Sequence, residues 1–294
     1  MIKALRKLFG GIRMTWPRVI GFALITAVYT AMMLLLPCTE NTSFRDIGGD
    51  VPCWILFAVI IIANCPTAKE SACKTFVFFL ISQPLIYLFQ VPFSELGWSL
   101  FRYYPPWFLS TLLTFPGAWL GWHTRKKGIL SGVILSPMLI LLAFCGFTYL
   151  QITWHAFPHK LLSGIFCFAA IILFLAGILT ENRQRITAVL LTVLVTAALV
   201  WVTEQKSHSS FRCPLPETVS ASEIAEVQIA DPGTVTVDEE LLKEDRLSVS
   251  VKAPCETELR LIGSDGAVLG LYQVHAYYDA SGTLLIDCEL KESQ

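Results

Sequence analysis

His155 and His159 stand four residues apart, a spacing that puts two imidazoles on one helical face and lets them share a metal ion. Pro158 lies between them, and no cysteine or carboxylate stands nearby in sequence to complete a ligand set. Two ring residues at a membrane interface are the plainer reading, so no metal is expected. Glu95 and Arg102 fall in loops on the same side of the chain as the histidines. The four make a candidate outer-surface polar cluster, provided the fold brings them together.

A second constellation surrounds three prolines inside apolar runs: Gln83-Pro84, Thr114 with Pro116, and Ser136-Pro137. A proline within a helix removes one backbone hydrogen bond and bends the axis. Gln83, Thr114 and Ser136 could satisfy the freed carbonyls or line a small polar cavity between the third, fourth and fifth runs. Carriers often bind substrate at broken helices near mid-membrane. The plainer reading is that these prolines only shape the bundle.

Other reactive signatures are missing from the sequence. It has no P-loop, dinucleotide fingerprint, H-E-x-x-H or G-x-S-x-G motif, and no Asp, Glu, Lys, Arg or His deep in any apolar run. No cofactor is expected, and a non-enzymatic role is favoured. The acidic stretch at 238–245 lacks the alternating acid-and-glycine layout of a calcium loop and reads as a solvated surface turn.

The elements that would position these residues are written in the charge. Residues 1–202 carry 15 Lys+Arg against 6 Asp+Glu, and residues 203–294 carry 7 against 17, so +9 and −10 sum to the whole chain's −1. Two regions with different solvents lie behind a near-neutral total. The first contains seven runs free of Asp, Glu, Lys and Arg, at 19–36, 51–64, 75–91, 107–122, 129–150, 161–179 and 186–202. A bilayer core needs roughly 17–25 helical residues to cross it. The run at 51–64 is short and needs flanking residues such as Cys65. Seven such runs exceed what any water-soluble fold could cover with polar surface.

Lys and Arg collect on the cytoplasmic side of membrane proteins. Alternate loops, beginning with the N-terminal segment, hold 12 of these residues and the other short loops only 3. This predicts a cytoplasmic N-terminus and, after seven crossings, an extracytoplasmic C-terminal domain. Trp16, Trp54, Trp98, Trp107, Trp122, Trp154 and Trp201 fall near run ends, where headgroups would sit. The basic and apolar residues of 1–17 interleave as in an amphipathic helix lying on the inner leaflet. Ala23, Ala27 and Ala31 on the first run, and Ala188, Thr192 and Thr196 on the seventh, form small-residue stripes suited to close packing, with each other or each with a partner chain.

Residues 203–222 read as a polar linker. From there the pattern turns to period two, as in Leu247, Val249 and Val251 alternating with Ser248, Ser250 and Lys252. Strands are predicted at 224–230, 234–237, 247–253, 257–262, 267–278 and 282–290, separated by Asp-Pro-Gly and Ser-Asp-Gly turns. Six regular strands suggest an immunoglobulin-like sandwich over 223–294, an architectural likeness only. Of nine cysteines, Cys213, Cys255 and Cys288 lie in this region, where an oxidising compartment would permit one bridge among the three, as it would Cys38 with Cys53 in the first outer loop. Free thiols are the competing reading.

The expected protein is thus an all-α membrane bundle of seven transmembrane helices (18–202) carrying a C-terminal all-β domain. The short loops and compact size point to a bacterial inner membrane. The expected role is display of the β domain to a protein or envelope component. The alternative is a transporter or permease component for a neutral or lipid-like substrate. The bilayer is the expected partner, and nucleic acid is excluded by the sign of the outer charge.

Overall fold

The computed structural model describes residues 7–40, 42–155, 157–206, 209–215, 219–238, 246–279 and 284–291. The chain divides into two units, Met1–Val200 and Trp201–Gln294.

A helix covers each of the seven apolar runs, and one short helix is added. The series is α1 (Trp16–Leu35), α2 (Ser43–Gly49), α3 (Val51–Ala63), α4 (Ala68–Gln90), α5 (Tyr104–Gly121), α6 (Ile129–His155), α7 (Leu161–Gly177) and α8 (Asn182–Lys206). On length and composition α1, α4, α6 and α8 could each cross a membrane, and α2 with α3 makes a fifth crossing if that pair, bent by 46°, counts as one. α7 is apolar but has 17 residues, which at 1.5 Å per residue is short of a ~30 Å core. The short run at 51–64 is therefore extended at its start by α2, rather than at its end by Cys65.

α3 is apolar all round, and such a helix belongs inside. Its residues join both core clusters of the bundle. Trp54 and Ile61 pack with Val19, Ala23, Ala27, Phe78 and Phe79, while Val59 and Ala63 pack with Leu135, Leu139, Phe174 and Ala188. Trp54 is thus a core residue, 5 % exposed, in ring contact with Phe57, Phe78 and Phe79. Its place near a run end did not make it a headgroup anchor, because α2 lengthens the structure beyond it. Trp16, Trp98, Trp154 and Trp201 are exposed.

The small-residue stripe of α1 is fully used: Ala23, Ala27 and Ala31 are buried, and α1 packs closely on α4 and α2. At α2, Gly48 accepts a hydrogen bond from the Thr30 hydroxyl through its carbonyl (2.7 Å), and a Cβ at Gly48 would strike the Met33 side chain at 2.7 Å. The start of the α8 stripe, at Ala188, lies against α6. Ala188 is in the same cluster as Leu135 and Leu139, and a Cβ at Gly132 would stand 2.5 Å from the Gln184 carbonyl oxygen.

Within the described residues the N-terminal segment does not continue as a surface helix. After Leu8 the chain leaves helical conformation and docks on the bundle. Asn64 holds it there, its Oδ1 accepting from the backbone N–H of Gly10 (3.1 Å) and Ile12 (2.8 Å) while its amide donates to the Leu8 carbonyl (2.6 Å). Gly10 adopts φ +140, which L side chains rarely adopt. Phe9 is buried edge-on against Phe174. The other part of the expected amphipathic stretch, 1–6, lies outside the described residues.

The second unit contains two antiparallel sheets. β1 (Ser209–Pro214), β4 (Arg246–Val251) and β3 (Val235–Asp238) form one in the order β1-β4-β3. β2 (Ile224–Ile229), β5 (Cys255–Gly263), β6 (Val268–Tyr278) and β7 (Leu284–Lys291) form the other in that order. The six predicted strands are present within a few residues. The expected linker at 203–222 carries the end of α8 and all of β1. Val235, Leu247, Val249 and Val251 from one sheet, and Leu259, Leu261, Tyr272, Val274 and Ile286 from the other, share one hydrophobic cluster. The turns are made as their residues require: the Asp231 carboxylate accepts from Gly233 N–H (3.2 Å), Asp265 from Ala267 N–H (3.0 Å), and Gly266 takes φ +81. The acidic stretch at 239–245 lies outside the described residues, as do 280–283.

A candidate intramembrane cavity

A cavity of about 320 Å³ lies among α3, α4 and α5, with Met138 of α6 at its wall. Helical spacing places its lining on one face of each helix. α3 presents Val51, Trp54, Ile55, Ala58 and Ile62; α4 presents Thr75, Phe79 and Gln83; α5 presents Trp107, Ser110, Thr111, Leu113, Thr114, Gly117 and Ala118. No Asp, Glu, Lys, Arg or His is among them. Leu113 is 71 % exposed, so the cavity opens on the outer flank of the bundle. A volume of this size falls at the lower end of those that hold small ligands.

The polar groups of the wall divide into two kinds. The hydroxyls of Ser110, Thr111 and Thr114 donate back to carbonyls of their own helix, at Pro106 (3.0 Å), Trp107 (2.9 Å) and Thr111 (2.7 Å). Thr75 Oγ1 is buried with no hydrogen-bond partner. The Gln83 side chain, 5 % exposed, likewise makes no hydrogen bond among the described residues. An unsatisfied buried polar group costs roughly 1–3 kcal/mol, so the Thr75 hydroxyl, with the Gln83 amide beside it in the wall, marks where a ligand's polar atoms would sit. Between them they offer donors and acceptors but no charge.

Two of the six residues picked from sequence, Gln83 and Thr114, line this cavity; Pro84, Pro116, Ser136 and Pro137 do not. The expected helix set was the third to fifth runs, whereas the cavity sits among the second to fourth. α4, α5 and α6 continue through their prolines. The Ser136 hydroxyl donates to the Val133 carbonyl (2.8 Å), the one Pro137 leaves without its amide partner. Thr114 bonds Thr111 instead of the carbonyl freed by Pro116.

The outer-surface residues behave differently. Glu95, Arg102 and His155 are exposed, and no described contact joins Glu95 to Arg102 or either to the histidines. α6 ends at His155 and α7 begins at Leu161, so His155 and His159 do not share a helical face. No group of three or more His, Cys, Asp or Glu side chains able to hold a metal occurs among the described residues. A different polar cluster forms nearby. Lys160 pairs with Asp46 of α2, Ser163 donates to Asp46 (3.1 Å), Ser43 donates to the His159 carbonyl (2.8 Å), and Tyr149 donates to Asp50. These partners come from residues about a hundred positions apart, so sequence spacing carried no sign of them.

A polar depression of about 650 Å³ near the start of α1 is lined by Arg13, Lys74, Arg125 and Glu70. Lys74 is 2 % exposed, paired with Glu70 and donating to the Met14 carbonyl. Arg125 donates to the Cys65 carbonyl (2.8 Å) and lies over the Trp122 ring.

No protein-family model, curated protein or solved structure matches this chain.

Proposed function

We propose that the protein is a seven-span membrane protein of a bacterial inner membrane. Its bundle binds a neutral, lipid-like molecule, as a transporter or permease component does, and an immunoglobulin-like β domain stands on the extracytoplasmic side. One observation carries the reading: an uncharged cavity, open toward the flank at Leu113, is lined by the Gln83 side chain and by a buried Thr75 hydroxyl without a hydrogen-bond partner. The fitting ligand has an apolar body and one or two carbonyl or hydroxyl groups, as a diacylglycerol does. The orientation rests on the loop charges, 12 against 3.

A photoreactive diacylglycerol incorporated in nanodiscs with the full chain tests it. Label should concentrate on peptides containing Gln83 and Leu113, and Gln83→Leu should cut that labelling about tenfold, the effect of losing ~1.4 kcal/mol. Label spread evenly over all apolar helices, unchanged by Gln83→Leu, would sink the proposal.

The display role remains a second reading, supported by the charge of 203–294, 7 basic against 17 acidic. It requires a cationic protein or envelope partner. Full-length protein in nanodiscs should then retain such a component from an envelope fraction at low salt and release it at high salt. Retention indifferent to salt would argue against a partner chosen by charge.

A further inference from the structure

The β unit's three cysteines are not equivalent. Cys213 lies on β1 opposite Leu247 of β4, and Cys288 lies on β7 opposite Val274 of β6, so they belong to different sheets. Both face the shared core. Cys213 is 1 % exposed within the hydrophobic cluster, and Cys288 packs against it. β1 and β7 are in contact, which brings the Cys213 and Cys288 thiols together at the edge of the shared core. The neighbouring Cys288 sulfur and burial push the Cys213 thiol up, and the neighbouring Cys213 brings the Cys288 thiol down.

Cys255 is elsewhere. The register aligns Cys255 with Ala276 and Ala276 with Ile286. It therefore sits two strands from β7 and two residues off Cys288. At ~4.8 Å per strand and ~3.4 Å per residue that is roughly 12 Å between Cα atoms, beyond the ~7 Å a disulfide spans.

We infer that Cys213 and Cys288 form an intramolecular disulfide that ties the two sheets together, with Cys255 left as a free thiol. The bond closes a loop from the first strand to the last, so it constrains nearly the whole domain. Its formation removes two protons and two electrons. The Cys288 thiolate attacks the disulfide of an extracytoplasmic thiol–disulfide oxidoreductase. The Cys213 thiolate then displaces the oxidoreductase sulfur, which leaves as a thiol with its partner also reduced. The step rests on the extracytoplasmic placement proposed above, since a reducing cytoplasm would keep both thiols free.

The wild-type protein is the material for the test. Thiols are trapped with an alkylating reagent in intact cells, and unreduced peptides are mapped by mass spectrometry. The expected result is a linked Cys213–Cys288 peptide with Cys255 alkylated. Reduction of the purified chain should lower the melting temperature of its β unit by about 10 °C or more, as expected for closing a loop of this length. Alkylation of both Cys213 and Cys288 in cells, or a bridge that includes Cys255, would overturn the inference. A second arm then separates the causes. If purified protein forms the Cys213–Cys288 bond in oxidised glutathione, the pairing is right and the placement wrong. If it does not, the pairing itself fails.

Discussion

The two units treat apolar surface in opposite ways. In the β unit large apolar side chains point inward, and among the described residues only a few, such as Phe211, Val268, Leu285 and Leu290, are exposed. In the helical unit exposed Leu, Ile, Val and Phe run along whole helices. α8 shows it most plainly, with Ile186, Leu190, Val193, Leu194 and Trp201 all more than half exposed. A water-soluble protein rarely leaves so large a continuous apolar face bare. The contrast fits water around the β unit and makes a membrane setting plausible for the helical one. It also explains the polar groups. Helix hydroxyls bond their own carbonyls, at Thr26, Thr111, Thr148 and Thr192, as backbone and side chains must where no water can serve them. Against that habit, the hydroxyls of Thr75, Ser82 and Thr196 are buried without a partner, and of these Thr75 lines the cavity.

Substitutions can break or sharpen the contrast. The largest effect is expected in the β core. Leu261→Ala removes a fully buried side chain where both sheets meet and should cost about 3 kcal/mol, read as a fall in the urea midpoint of the β unit. A change under ~1 kcal/mol would mean that the two sheets do not share one tightly packed core. Next is Leu194→Lys at the middle of α8, 66 % exposed. In hydrocarbon a lysine there costs about 2.5–3.5 kcal/mol, so membrane-integrated protein should fall severalfold; unchanged insertion would place that face in water. The smallest is its counterpart Leu290→Lys, 46 % exposed on β7. A surface change of that kind stays within ~0.5 kcal/mol, and strong destabilisation there would show an unrecognised buried face.

Much was legible along the chain because it depends on local pattern. Seven uncharged runs become seven helices, since a long apolar run propagates as helix wherever backbone groups must bond internally, even through an interior proline. Alternation at Leu247–Val249–Val251 becomes β4 for a similar reason: period two puts one face in a core. β1 escaped notice because Ser209 to Pro214 has no such alternation, and its partner β4 lies more than thirty residues on. Gln83 and Thr114 were found through their neighbouring prolines, which do not themselves line the cavity. Its lining is drawn from three successive helices, and no local pattern shows how they face one another.

Composition and periodicity alone determined the division into an apolar, basic part and an acidic, strand-rich part. These are sums over neighbours, which any sequence displays. Only the tertiary structure decided that Trp54 is core, that Asp46 meets Lys160, that Asn64 clasps the N-terminal segment, and that Cys213 finds Cys288 while Cys255 finds neither. Each of these pairs residues far apart in sequence, and which distant side chains meet is set by helix packing and strand order, quantities no local window contains.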